Sequence, residues 1–180
     1  LDIRQYGSGN AGTTNVLRTL GKSRALITFL GDALKGMIPV LIVKLVIGPA
    51  VPDLNSELLQ LVLGFAVVLG HDFPFFLHFK GGKGIATSAA VMMGFDWRMG
   101  LCCLVIFVVV VAATRYVSLA STLLSAALIA EILIFYPGRW DLFVLIVLYA
   151  GFAIYRHRAN IKRLLAGTES KLGQKVEVKK

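Results

Sequence analysis

Long unbroken apolar runs dominate this 180-residue chain and restrict its fold more than any other feature. Five runs approach the roughly 20 residues that a helix needs to cross a bilayer. They are Ala25–Ile47, Leu58–Phe79, Gly100–Ala113, Val117–Tyr136 and Leu142–Tyr155. A sixth, Ile85–Phe95, is short and rich in small residues. Gly100–Ala113 and Leu142–Tyr155 are also short, so their ends must borrow flanking residues. The runs are continuous rather than alternating, which favours helices over a transmembrane barrel. Composition agrees, at 57% hydrophobic and 16% charged, against about 25% charged in an ordinary globular domain. Disorder, a coiled coil and a disulfide-stapled secreted domain are excluded. Cys102 and Cys103 are adjacent inside an apolar run, so they neither frame a fold nor build a zinc site. The expected fold class is an all-α integral membrane protein, a polytopic bundle with six spans in this chain.

Charge gives the bundle a direction. The net charge is +9, and its placement is uneven. With residues 1–24 on one side and the chain alternating, that side holds Arg4, Arg18, Lys22, Arg24, Lys80, Lys83, Arg115 and eight Lys/Arg from Arg156 onward. The opposite loops hold only Arg98 and Arg139, beside Asp53, Glu57, Asp96 and Asp141. The positive-inside rule makes the first side cytoplasmic, and six spans return the chain to it. Because the chain opens at Leu1 in a polar loop, an earlier segment is expected before it. Within the spans, Asp32 and Lys35 are three apart and could pair or line a polar pocket. Lys44 and Glu131 fall near outer span ends, where snorkelling is the expected explanation.

The polar, glycine-rich material lies on the basic side. The first segment, Gly7 to Arg18, contains a literal G-x-G-x-x-G at Gly7, Gly9 and Gly12. No strand precedes it, so a dinucleotide fingerprint does not apply. A short helix over about 13–20 would still present its N-terminus to an anion. Ser8, Asn10, Thr14 and Asn15 add neutral hydrogen-bonding groups, and Arg18 adds a fork. A capped glycine turn explains the loop alone equally well. The second segment joins Gly70-His71-Asp72 to Phe79-Lys80-Gly81-Gly82-Lys83-Gly84. It lacks the first glycine and the Ser/Thr of a Walker A loop, yet a flexible basic loop feeding a helix suits phosphate. Its alternative is a basic anchor with a tight turn, and His71 alone reads as structural. The third, Arg156 to Arg163, places His157 and Asn160 three apart, and Arg156 and Arg163 seven apart, each pair on one helical face. A stop-transfer cluster is its alternative, and the remoter basic tail reads only as that. Ser118 sits within a turn of the boundary after Arg115, while Ser121 reads as close helix packing.

Across these residues the chain resembles the bacterial membrane glycerol-3-phosphate acyltransferases that use acyl-phosphate as donor. The resemblance runs from about Asp2 to Glu169 and includes all three motifs and the stretch from Arg115 to Ser121. Ala159 departs from it, where many members carry Glu. The resemblance implies seven transmembrane helices with the N-terminus outside, so residues 1–180 would form a single membrane domain lacking the first helix. Residues 1–24 would be the cytoplasmic loop of the first motif and 164–180 a basic cytoplasmic tail.

The implied reaction transfers a fatty acyl group from acyl-phosphate to the sn-1 hydroxyl of glycerol 3-phosphate, giving lysophosphatidic acid and phosphate. Ser8, Thr14, Ser118, His157 and Asn160 would surround the donor phosphate and reacting carbonyl. Arg18, Lys80 and Lys83, with the backbone of Gly81 and Gly82, would hold the acceptor. Gly9, Asn10, Asn15, Lys35 and Arg156 complete the expected binding set. The general base would be His157 or the substrate phosphate. No metal, cofactor or nucleic acid is expected; the partners are the two substrates and the bilayer, and the expected state is a monomer in the bacterial inner membrane. The competing reading is a small transporter or channel for an anionic solute, whose polar site should lie near the midplane.

Overall fold

A computed structural model describes residues 2–174, and among these residues every regular element is helical. The helices are α1 (Thr13–Leu20), α2 (Lys22–Ala50), α3 (Ser56–Asp72), α4 (Ile85–Phe95), α5 (Trp97–Thr114), α6 (Val117–Phe135), α7 (Trp140–Arg156) and α8 (Arg158–Leu165). Helices α2, α3, α5 and α6 are long and apolar enough to cross a membrane. Helices α7 and α8 supply a fifth crossing if the pair, bent by 57°, counts as one. The chain is a multi-pass helical membrane protein.

The sixth expected span is the shortest. Ile85–Phe95 is a helix over the expected residues, but eleven residues rise only about 16 Å, half of a hydrocarbon core. Helix α4 packs lengthwise against α2 and touches α3 and α5. Small residues allow the close approach. A Cβ on Gly36 of α2 would lie 2.6 Å from the Thr87 carbonyl oxygen, and one on Gly100 of α5 would run into the Met93 backbone.

The far end of α4 is closed by Lys44, whose ammonium donates to the carbonyls of Gly94 (3.2 Å) and Phe95 (2.7 Å). Snorkelling is therefore not its role; it satisfies carbonyls that a helix C-terminus leaves open. Asp96 then caps α5 by accepting from the Arg98 amide at 2.9 Å. Glu131 also departs from expectation. It is buried, and neither carboxylate oxygen has a hydrogen-bond partner among the described residues.

Val40, Leu61, Val91, Met92, Leu124 and Ile146 form the central core. The Tyr149 hydroxyl ties α7 to α3 by donating to the Leu61 carbonyl at 2.9 Å. Ile27, Leu30, Leu34, Ile38, Ile42 and Leu45 remain exposed along one stripe of α2, as a lipid-facing helix requires. This arrangement brings α1, the 73–84 loop, the start of α6 and the α7–α8 bend to one end of the bundle.

Candidate active site

The first loop is built around Asn15. Its side chain accepts from the Ser8 amide (3.0 Å) and donates to the carbonyls of Ile3 (2.9 Å) and Tyr6 (3.1 Å). Gly7 and Gly9 take positive φ, 61° and 68°, so the chain can wrap around it. Asn15 is thus the scaffold of the loop, with its polar atoms already engaged, rather than a free contact for substrate. Helix α1 follows over the expected residues, with Gly12 at its N-cap. Ser8, Asn10, Thr13 and Thr14 then face a common cavity. Arg18, one turn on, reaches the Ser170 carbonyl at 3.1 Å. Burial lowers the pKa of its guanidinium.

The second loop lies flat on the end of α3. The Gly81 amide donates to the Asp72 carbonyl (3.1 Å) and the Gly82 amide to the His71 carbonyl (3.3 Å). A Cβ on Gly81 would run into the His71 carbonyl, and one on Gly82 into the His71 imidazole. Both residues must therefore be glycine for packing. Their amides cap a helix end and do not form the phosphate cradle that the sequence suggests. Lys35 donates to Asp32 and to His71 Nδ1, each at 2.6 Å, so the charged pair in α2 braces the imidazole from below. Arg156 is drawn into the same scaffold. Its Nε lies 3.0 Å from Asp72 Oδ2, and it donates to the Gly82 carbonyl at 2.6 Å. Lys80 is exposed, and only Lys83 and Gly84 of this loop reach the cavity.

The third segment works through a break. Helix α7 ends at Arg156 and α8 starts at Arg158, so His157 sits at the bend. His157 and Asn160 are both buried and both line the cavity, across this bend rather than on one straight helix. Arg156 and Arg163 diverge: the first turns to Asp72, the second to Glu169. His157 Nδ1 faces the Ala153 carbonyl at 2.8 Å. A carbonyl only accepts, so Nδ1 carries the hydrogen and Nε2 is left as an acceptor toward the cavity. Burial, with Lys83 nearby, pushes the His157 pKa down to about 4, and the ring is neutral.

Asn160 joins two elements. Its Oδ1 accepts from Lys83 Nζ, and its Nδ2 donates to Glu169 Oε1 at 2.7 Å. The same carboxylate oxygen accepts from Ser118 at 2.8 Å, while Oε2 accepts from Arg163 Nε at 2.6 Å. Burial alone would raise the Glu169 pKa. Hydrogen bonds from Asn160, Ser118 and Arg163 outweigh it and hold the carboxyl below its usual range. Burial, reinforced by Arg163, pulls the Lys83 ammonium down to about 8. Sequence spacing does not reveal Glu169, nine residues beyond Asn160. The resemblance merely ended there.

These groups surround one end of a cavity of about 570 Å³. Ser8, Thr14, Arg18, Lys83, Ser118, His157 and Asn160 line its polar end. Phe29, Ala33 and Met37 of α2, Ala89 and Met93 of α4, and Leu104 and Phe107 of α5 line the rest. Of the expected site residues, Gly9, Lys35, Lys80, Gly81, Gly82 and Arg156 do not line it. A second, more polar cavity shares Ser8, Arg18 and Glu169 with it and adds Gly7 and Arg163. The expected tail residues 175–180 lie outside the described residues.

Residues 1–167 match the family model of glycerol-3-phosphate acyltransferases. A glycerol-3-phosphate acyltransferase of a Thermoanaerobacter species is 50% identical over 179 residues, covering 99% of this chain and 86% of that one. One from Clostridioides difficile is 47% identical over 178 residues, covering 98% and 85%. The fold also matches crystal structures of PlsY, an integral membrane glycerol 3-phosphate acyltransferase. Its glycerol 3-phosphate form aligns with a TM-score of 0.85 at 36% identity, covering 96% of this chain and 83% of that one. Its lysophosphatidic acid form aligns with a TM-score of 0.81 at 36% identity, covering 93% and 82%. Matched over nearly its whole length by this model and these relatives, the chain belongs to the glycerol-3-phosphate acyltransferase family.

Proposed function

We propose that the protein transfers a fatty acyl group from acyl-phosphate to the sn-1 hydroxyl of glycerol 3-phosphate, at the cytoplasmic face of the bacterial inner membrane. The observation that carries this reading is one cavity with two chemically distinct ends. Cations, hydroxyls and an imidazole crowd one end, and the apolar faces of α2, α4 and α5 line the other. An acyl-phosphate has the same division. The polar groups, including those at the α7–α8 bend, gather at one end of the bundle and not at its middle, which disfavours an ion or solute carrier.

Acyl-phosphate is a mixed anhydride, so no covalent enzyme intermediate is needed. The sn-1 oxygen attacks the carbonyl carbon, the carbon–oxygen bond to phosphate breaks, and inorganic phosphate leaves. Lys83 and Arg18 offset the charge of the two phosphates, while Asn160, with its second amide N–H, offers a donor near the reacting carbonyl, and Ser118, whose proton goes to Glu169, holds that carboxylate in place. Catalysis rests mainly on bringing two anions together in a defined orientation. His157 Nε2 accepts the hydroxyl proton through a hydrogen bond. Its pKa of about 4 makes it a poor final holder, so the proton passes to the leaving phosphate, whose pKa is about 6 by analogy with phosphoserine.

The test is turnover of acyl-phosphate and glycerol 3-phosphate to lysophosphatidic acid by purified protein, with His157→Gln and His157→Ala. Gln can still present an acceptor oxygen, whereas Ala cannot. Both should lose at least about 100-fold in kcat, with Gln the milder. Near-normal turnover by both folded variants would remove His157 from proton transfer. A wild-type protein that forms no product would overturn the acyltransferase reading.

A further inference from the structure

Asp72 is the least accessible charged side chain near the site, with no exposed surface. It stands at the C-terminal end of α3, where the helix dipole disfavours an anion. Something must compensate. Arg156 Nε lies 3.0 Å from Oδ2. On the other side, a Cβ on Gly84 would lie 3.1 Å from Oδ1, and Gly84 is the N-cap of α4. The carboxylate therefore lies between a guanidinium and the positive end of a second helix, close enough for charge to compensate charge without a hydrogen bond to either oxygen among the described residues.

Each neighbour carries a group of the active site. Arg156 immediately precedes His157 at the bend. It also donates to the Gly82 carbonyl and stacks over Phe73, with its guanidinium carbon 5.0 Å from the ring centroid. Gly82 immediately precedes Lys83. The Asp72 carbonyl takes the Gly81 amide, which anchors the other arm of the same loop. The buried carboxylate thus pairs with Arg156, one residue away from His157, and Arg156 in turn holds the Gly82 carbonyl, one residue away from Lys83.

We propose that Asp72 and Arg156 act as a buried post that sets the separation of Lys83 and His157, making both positioning residues for acyl transfer. This reassigns Arg156 from substrate contact to support. The proposal rests on the acyltransferase reading above. It predicts that Asp72 and Arg156 act as a unit.

The experiment compares Asp72→Asn, Arg156→Gln and the double variant in wild-type lipid or detergent. Each variant's melting temperature and steady-state kinetics with both substrates are measured. Each single variant should lose about 100-fold in kcat/KM for glycerol 3-phosphate, the size expected when a reacting pair is misplaced by about 1 Å. The double variant should lose no more than the worse single one, since the second change removes a charge the first left unpaired. Arg156→Lys keeps the charge without the fork. It should retain the ion pair, lose the Gly82 contact, and show a raised KM for glycerol 3-phosphate with kcat nearer to wild type. Additive losses in the double variant overturn the proposal, as do losses that follow melting temperature alone. If Asp72→Asn does not fold, the Arg156→Lys split still decides: an unchanged KM for glycerol 3-phosphate overturns the proposal. Failure of wild-type turnover would instead count against the acyltransferase reading.

Discussion

Lys83 shows how one residue can serve both architecture and chemistry. Its ammonium is half-buried beside Asn160, and burial brings its pKa to about 8. A lysine whose pKa is lowered loses its charge as pH rises through that value. Glycerol 3-phosphate is already fully ionised there, since a phosphate monoester completes its second ionisation near pH 6. Any change in its binding above about pH 8 must therefore come from the protein. The KM for glycerol 3-phosphate should rise several-fold between about pH 7.5 and 9.5. Lys83→Arg stays charged throughout and should flatten that rise. A wild-type KM that stays level over this range would take Lys83 out of the phosphate site. His157 has the opposite profile. It is neutral at any pH well above 4, so its titration should leave no inflection near pH 6.5.

At the scale of elements, the apolar half of the cavity is a slot between α2 and α5 with α4 as its floor. Ala86, Ala89, Ala90 and Met93 present one face of α4 to it, and Gly100, Leu104, Phe107 and Val111 one face of α5. Alanines on the floor leave room for a chain, and Met37 and Met93 stand at its far end. Ala90→Phe should fill the slot. It should cut kcat/KM for long-chain acyl-phosphates by about tenfold or more relative to short-chain donors, since each excluded methylene forfeits about 0.8 kcal/mol. Leu104→Ala should shift preference toward longer chains. Donor selectivity unchanged in both variants would place the acyl chain elsewhere.

Much of this element-level picture is legible in the sequence. The apolar runs mark the helices, Ile85–Phe95 among them, and α1 follows the glycine-rich loop over the expected residues. The errors have a common physical source. Spacing on a helix presumes that the helix continues, and the break at His157 separates Arg156 from Arg163. Gly81 and Gly82 look like an anion cradle because glycine permits one. Only the packing of the loop on His71 reveals that the glycines are required there for space. Asp72 shows no signal in sequence, because its partner lies 84 positions away.

The molecule as a whole closes its site with residues far apart in sequence. After α8, the chain turns back at Thr168 and runs across the mouth of the cavity. Glu169 takes hydrogen bonds from Ser118 and Asn160, Ser170 from Arg18, and Leu172 exchanges two with Arg115, at 2.7 and 2.8 Å. Arg115 adopts a positive φ of 62°, which turns its carbonyl toward this strap. The strap thus links the α5–α6 junction, α1 and α8, elements that otherwise share few contacts at this end.

A chain ending at Gly167 keeps every transmembrane helix but loses all of these contacts. It leaves Ser118 and Asn160 without their shared acceptor and the cations Arg18, Lys83 and Arg163 without a counter-charge. Such a chain should insert normally yet lose at least about 100-fold in turnover, because the lost groups orient reacting partners and contribute little to the hydrophobic core. A chain ending at Gln174 retains every strap contact seen among the described residues and should match the full-length protein. Equal activity in the two truncated chains would show that the strap is a passive tail. Loss confined to the shorter chain would show that the site is completed only when residues 8 and 169, far apart in sequence, meet over one cavity.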